Sequence, residues 1–444
     1  MNRLLRSISK ILILVSTFVI SISFFTNCLA AAYQVTDYFY SAVATGDAGA
    51  GGAALAQDAS TVFTNPAGMV RIQKPEVVAV GSLLSVDAKF TGSNTWNTTL
   101  LPAPLNTYTQ TGTAQSQTTQ FIPALHLVIP TNSRFSFGFS VAPTYGLLTS
   151  YPNTSIVRYN STESQLQVID ISPAVAYDIN KQWSAGAGVD LTQAYFVYRA
   201  MAGLPSLTPA APTTSDTQSK NTGDGWGFGG HVGLLYQMTP CTRFGLNYRS
   251  RISILAESQS TISGPLANAT FNNFHTTIVL PAETTLSAYT DLNRHWAVDG
   301  SINYTQWSSI NNGSQTFYNV AAPGAPAVVT QPWHYKNSWL FALGGIFKAS
   351  ECWTFRAGAH FDETPIPSNQ VIPAVPDANR WALGVGAHYQ ILKQVGVDLG
   401  WSHLWLKDAN ITAPITIASQ TSTPNGTSRT HADIVSGQIT WDLA

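Results

Sequence analysis

Few residues in this chain are placed to do bond-making chemistry. Its nine histidines are scattered, no Gly-x-Ser-x-Gly elbow is present to expose a nucleophile, and no Cys/His spacing suits zinc. After the first thirty residues only Cys241 and Cys352 remain, so no disulfide framework is implied. Neither an enzyme nor a bound metal or cofactor is expected. The notable residues are mechanical instead. Pro143-Thr144-Tyr145-Gly146 interrupts a clean alternation that begins at Arg134. Proline removes a ladder donor and glycine permits a bulge, so the residues support a local defect in a strand there, with an ordinary strand-end bend as the other reading.

The elements that must hold such a defect are legible from composition. Charged residues make up 10% of the chain, against about a quarter in soluble domains, while aromatics reach 11%. Arg3, Arg6 and Lys10, then Ile11 to Phe25, then Cys28-Leu29-Ala30 read as a signal peptide over residues 1–30. Its apolar run of 15 residues is short for a spanning helix, which needs roughly 20. Without it the balance is 19 Lys+Arg against 23 Asp+Glu, which gives no reason to expect nucleic acid as a partner. A charge-poor chain with no long apolar helix can still sit in lipid if its apolar residues alternate along strands.

They do alternate. Phe135, Phe137, Phe139 and Val141 share one face, and so do Trp183, Ala185, Ala187, Val189 and Leu191. The same pattern runs through Trp226–Tyr236, Trp353–Phe361 and Trp381–Tyr389, with His231, His360 and His388 on the polar, inward face. Aromatics at strand ends (Trp183, Trp226, Tyr236, Trp296, Tyr304, Trp339, Trp353, Trp381, Tyr389) suggest interfacial girdles. Short turns near 131–133, 180–181, 239–241, 292–293, 350–351 and 393–394 alternate with long polar segments at about 91–117, 150–163, 201–222, 259–273, 311–334, 363–376 and 408–429. Six turns and seven loops connect fourteen strands of an all-β, antiparallel transmembrane barrel over 73–444. The Thr/Asn/Gln-rich stretch 107–120 then reads as mostly loop. Residues 31–72 do not alternate and are rich in Gly and Ala, which fits either a plug in the lumen or a periplasmic extension.

That segment, with Tyr33-Gln34, Asp47–Gly51, Ala56-Gln57-Asp58-Ala59 and Asn65-Pro66-Ala67, resembles the N-terminal hatch of the FadL/TodX family of outer-membrane transporters for long-chain fatty acids and aromatic hydrocarbons. The similarity continues in order through Trp226-Gly227-Phe228-Gly229, Arg243–Ser250, Trp296–Trp307, Trp353–Gly358, Phe361–Pro367, and Pro376-Asp377 with Arg380. The resemblance implies a fourteen-stranded outer-membrane barrel plugged by a hatch. It also implies a hydrophobic ligand, most simply a long-chain fatty acid, bound within the barrel and released sideways into outer-membrane lipid at a kink carried by Pro143, Tyr145 and Gly146. By the same resemblance Tyr33, Tyr38 and Phe39 would line the ligand pocket, and Lys336 would neutralise a head group. Arg199 would assist it, although it lies one residue out of the family register, a shift that turns a side chain to the other face. The third loop, 201–222, is short for the family and would reduce the outer groove. A monomer is expected, and the alternative readings are an aromatic hydrocarbon uptake channel or a general porin.

Overall fold

The chain is described by a computed structural model over residues 38–131, 133–312, 334–417 and 419–443. The expected signal peptide and Tyr33 lie outside the described residues.

Alternating strands with apolar outer faces cannot end in free edges inside lipid, and closure removes the edges. Fourteen antiparallel strands close here. They are β1 (Glu76–Thr98), β2 (Thr107–Pro130), β3 (Phe135–Ser150), β4 (Glu163–Asp178), β5 (Trp183–Ala202), β6 (Thr217–Gln237), β7 in two segments (Thr242–Arg249 and Ile252–Ser263), and β8 in two (Asn268–Leu280 and Glu283–Asp291). They continue with β9 (Trp296–Thr305), β10 (Ser338–Lys348), β11 (Trp353–Asp362), β12 (Arg380–Leu392), β13 (Val395–Leu406) and β14 (Gln420–Asp442). The ladder between β1 and β14, from Glu76↔Asp442 to Thr98↔Gln420, closes the ring.

The outer surface carries Phe137, Val189, Leu343 and Leu399, each more than half exposed, whereas Ser140, Asp190 and Ser402 on the other parity are fully buried. So large an apolar exterior belongs in hydrocarbon. Aromatic pairs ring its two rims. Beside the short turns are Phe135–Tyr177, Trp183–Tyr236, Trp296–Phe347 and Trp353–Tyr389, with ring centroids 4.4–4.9 Å apart. At the opposite rim are Tyr304–Trp339 and Phe361–Trp381. Trp226 is the exception, because it stands in the middle of β6.

All six short turns fall where expected. The stretch 107–120 does not: it is strand, paired with β1 from Asn97↔Thr107 onward. Its outward residues are Thr and Gln because this part of β2 rises above the apolar belt, where no lipid enforces alternation. The segments expected as long loops at 201–222 and 259–273 likewise shrink to 203–216 and 264–267.

Residues 38–72 pack inside the ring as α1 (Ala42–Gly46), α2 (Gly52–Leu55), α3 (Thr61–Thr64) and a 3-10 turn, Pro66–Arg71. Helices this short are not stable alone, so the wall must hold them. Asn65 explains the Asn-Pro-Ala motif. Its side chain accepts from Ala67 N at 3.1 Å, and its Nδ2 donates to Ala53 O at 2.7 Å and to Leu234 O of β6 at 3.0 Å. Pro66 occupies the first turn, where its missing N–H costs nothing. From the wall, His126 Nε2 bonds Tyr40 O at 2.8 Å and Arg243 Nε donates to Ala54 O at 2.6 Å. A Cβ at Gly245 or Gly358 would stand 1.9 Å from the carbonyl of Ala53 or Asp47, so these glycines let the hatch backbone lie against the wall.

Candidate functional site

The defect expected at Pro143–Gly146 is present. β3 pairs with β2 only from Pro130↔Ser136 to Leu125↔Val141. It stays paired with β4 to Ser150↔Glu163, with a register slip between Pro143 and Tyr145 that leaves Thr144 unmatched. Above Val141 the wall therefore parts between β2 and β3. In this stretch β3 loses its alternation: Val141, Ala142, Tyr145, Leu147 and Leu148 are all buried although they include both parities. The strand has moved inward. Tyr145 OH donates to Pro281 O across the lumen at 3.1 Å, and its ring meets Trp307 edge-on. Ser150 N, donating to Ser116 Oγ at 2.8 Å, bridges the top of the parting.

Beside the displaced strand lies an apolar cavity whose open space, solvent at its mouth included, is about 750 Å³. Leu147 and Thr149 of β3 form one side, Leu84 and Val86 of β1 another, Leu404 and Ile434 a third, and Tyr38 and Phe39 of the hatch the floor. Tyr38 is fixed by a 2.6 Å bond between its hydroxyl and His360 Nε2. Among the described residues, one cation lines the space, Arg380. Its Nη1 donates to Asp377 at 3.1 Å and its Nη2 to Asp362. Burial raises the Asp377 carboxyl above its usual range, against the pull of Arg380.

Of the residues the resemblance points to, Tyr38 and Phe39 line this cavity, and Arg199 and Lys336 are not among its lining residues. Arg199 has the outward parity of β5, shared with Val189 and Tyr195, and pairs with Glu163 at 2.7 Å. Lys336 is exposed, with its backbone N–H on Pro365 O. The cation that does face the cavity, Arg380, has a sequence signal: an arginine opposite an aspartate (Asp362↔Arg380) at inward parity in a charge-poor chain.

The lumen is closed below and above. Below, Arg249 bonds Asp170 at 2.6 Å and Asp190 at 2.9 Å, His231 bonds Asp190 at 2.7 Å, and Arg249 Nη2 donates to Phe63 O of the hatch. Above, residues 155–162 fold inward and are buried, pinned by Arg158 Nε to Asp216 at 2.8 Å.

A barrel plugged by its own N-terminal segment, roofed by its loops and parted between β2 and β3 is an outer-membrane transport barrel rather than an open pore. The chain belongs to the family described as "Outer membrane protein transport protein (OMPP1/FadL/TodX)", whose profile matches residues 21–443. It is 28% identical over 416 residues to a long-chain fatty acid transport protein of Escherichia coli O6:H1, covering 85% of this chain and 88% of that one. It is 26% identical to outer membrane protein P1 of Haemophilus influenzae, covering 91% and 94%. Its fold is similar to that of a Pseudomonas aeruginosa FadL homologue (TM-score 0.80, 20% identity, 94% and 100% covered). It also resembles the Pseudomonas putida toluene transporter TodX (TM-score 0.63, 18% identity, 92% and 99% covered).

Proposed function

We propose that this chain, exported by a signal peptide over 1–30, acts without catalysis as a monomer. It takes a long-chain fatty acid into the cavity above the hatch and releases it sideways between β2 and β3 into outer-membrane lipid. One observation carries the reading: the strand that leaves the ladder, β3, is also a wall of the apolar cavity, through Leu147 and Thr149. A chain lodged there is already beside the exit. The sideways route spares an acyl chain a polar passage through the hatch, which would be unfavourable by about 0.8 kcal/mol per CH₂. Relatives named as long-chain fatty acid transport proteins support the cargo.

A second reading, uptake of neutral aromatic hydrocarbons, is favoured by the charges at the cavity. Arg380 already serves two carboxylates, Asp362 and Asp377, and so has little positive charge to spare for a third. Mass spectrometry of organic extracts from the purified protein separates the two: fatty acid supports the first reading and neutral hydrocarbon the second. Rapid swelling of reconstituted liposomes in small sugars would sink both and indicate a general porin.

A further inference from the structure

The wall parts in a second place. β6 pairs with the upper segment of β7 from Gln218↔Ser263 to Asp224↔Glu257, and with the lower segment from His231↔Arg249 downward. Just above the latter, Ser250 N donates to Gly230 O at 2.9 Å, and Gly230 N donates to Ser250 Oγ at 3.0 Å. Between these two stretches, Gly225–Gly229 faces Arg251–Ala256 with no ladder register.

The sequence of β6 allows this. Its inward positions here are Gly225, Gly227 and Gly229, and a Cβ at Gly227 would stand 2.6 Å from both Ile252 and Ile254. Those isoleucines lie on bare backbone, 3% and 0% exposed. Outside, Phe228 is 71% and Leu255 60% exposed to the hydrocarbon. Gly229 stands seven residues above Tyr236 of the turn-side girdle, as Ala142 stands seven above Phe135, about 18 Å at ordinary strand rise and tilt. Both discontinuities thus begin at one height, just above the Arg249–Asp170–Asp190–His231 network.

Parting a regular ladder in lipid strands N–H and C=O groups at several kcal/mol each. Across Gly225–Gly229 no ladder has to be broken. Opening displaces the contacts of Ile252 and Ile254 with the glycine track and the close approach of Leu255 O and Ala256 to Gly225, and an alkyl chain replaces the apolar contacts at little cost. We propose that the β6–β7 seam is a second lateral portal, closed in this structure by Ile252 and Ile254, that admits the alkyl chain of the apolar cargo. The proposal rests on the transport reading above.

The test is photolabelling of the full-length protein in phospholipid nanodiscs with palmitic acid carrying an ω-diazirine, and mapping of labelled residues by mass spectrometry. Ala297, also buried and inward but in an unbroken ladder, sets the background. The expected result is label on Ile252 and Ile254 several-fold above background, together with label on Val141–Leu148. In Ile254→Ala label in the seam should rise several-fold. In Ile252→Trp, which fills the seam, it should fall several-fold while label on β3 persists. Label on β3 with none above background on Ile252 or Ile254, in the wild type and in Ile254→Ala, overturns the second portal alone. Absence of label at both places overturns it together with the transport reading.

Discussion

The lower and upper halves of the barrel are built to opposite rules. Below the level of Val141 and His231 the strands are laddered to both neighbours apart from a two-residue gap at Ser172–Pro173 between β4 and β5, and the hatch is tied to them by polar bonds from Asn65, His126, Arg243 and Arg249. Above it two ladders are interrupted, and the lumen holds an apolar cluster in which Tyr145, Leu147, Ile252, Ile254 and Leu280 meet. Polar bonds are directional and costly to leave unmade, so the lower half can hold one arrangement. Apolar contacts exchange readily for those of a ligand. The seal and the passage are therefore made of different interactions, stacked along one axis.

The largest test of this division removes the upper defect. Deleting Thr144 together with Pro143→Val takes out the unmatched residue and restores a donor, so β3 can rejoin β2. Uptake of radiolabelled oleate should fall several-fold, to what the β6–β7 seam alone can pass, while the barrel still folds and migrates as wild type. Unchanged uptake would remove the β2–β3 exit from the account. Next in size is Arg158→Ala. Arg158 and Asp216 are almost fully buried, and breaking such a pair costs about 3–5 kcal/mol because one charge is left behind. Urea titration of the protein in detergent micelles should show the loss, and the loosened roof should speed liposome swelling by small sugars. A variant with native stability would mean that the roof is held without this ion pair, by its apolar contacts and the Asn160 hydrogen bonds.

How much of this could be read from the residues follows the same division. Where lipid lies on one side and a lumen on the other, side chains must alternate, so the turns and most strand cores were visible. Where β1, β2 and β14 rise beyond lipid that constraint disappears, and Thr107–Gln120 resembled loop although it is strand. Pro143 and Gly146 marked the β3 defect because proline and glycine alter the backbone itself. The β6–β7 seam was harder to see: Gly225, Gly227 and Gly229 fit the small inward residues of any barrel strand, and only the packing of Ile252 and Ile254 on them gives them a role. The cavity cation was missed for a similar reason. The parity of Arg199 depends on a register that one residue of slip reverses. Asp362↔Arg380 is at inward parity, but its second partner Asp377 comes from loop 363–379, which folds in beside it and which periodicity does not place.

The lower half offers a smaller and more local test. Asn65→Ala leaves Ala53 O and Leu234 O without its donor and uncaps the 3-10 turn, a loss of about 1–3 kcal/mol for hatch docking. Hydrogen exchange should accelerate across 53–71 while the strand amides of β6 keep their protection. Acceleration spread evenly over the barrel would mean that hatch and wall unfold as one unit.

The smallest expected effect concerns pH. Asp47 follows α1 and is fully buried against the wall. Burial, then repulsion from Asp299, raise its carboxyl well above the usual range, and Arg356 opposes them. Asp58 is also raised, chiefly by burial. A carboxyl whose value is higher when docked binds a proton more tightly in that state, so docking is favoured in acid. That advantage is lost as pH climbs from the ordinary carboxylate value through the raised one. Protection factors of hatch amides, corrected for intrinsic exchange, should therefore decline from about pH 4 toward neutrality in the wild type. Asp47→Asn removes the larger titration, so its decline should be shallower, with Asp58 supplying what remains. An unchanged slope in that variant would mean that Asp47 keeps its charge when docked, with Arg356 outweighing burial. The lower half would then be held by ion pairs rather than by neutral polar bonds.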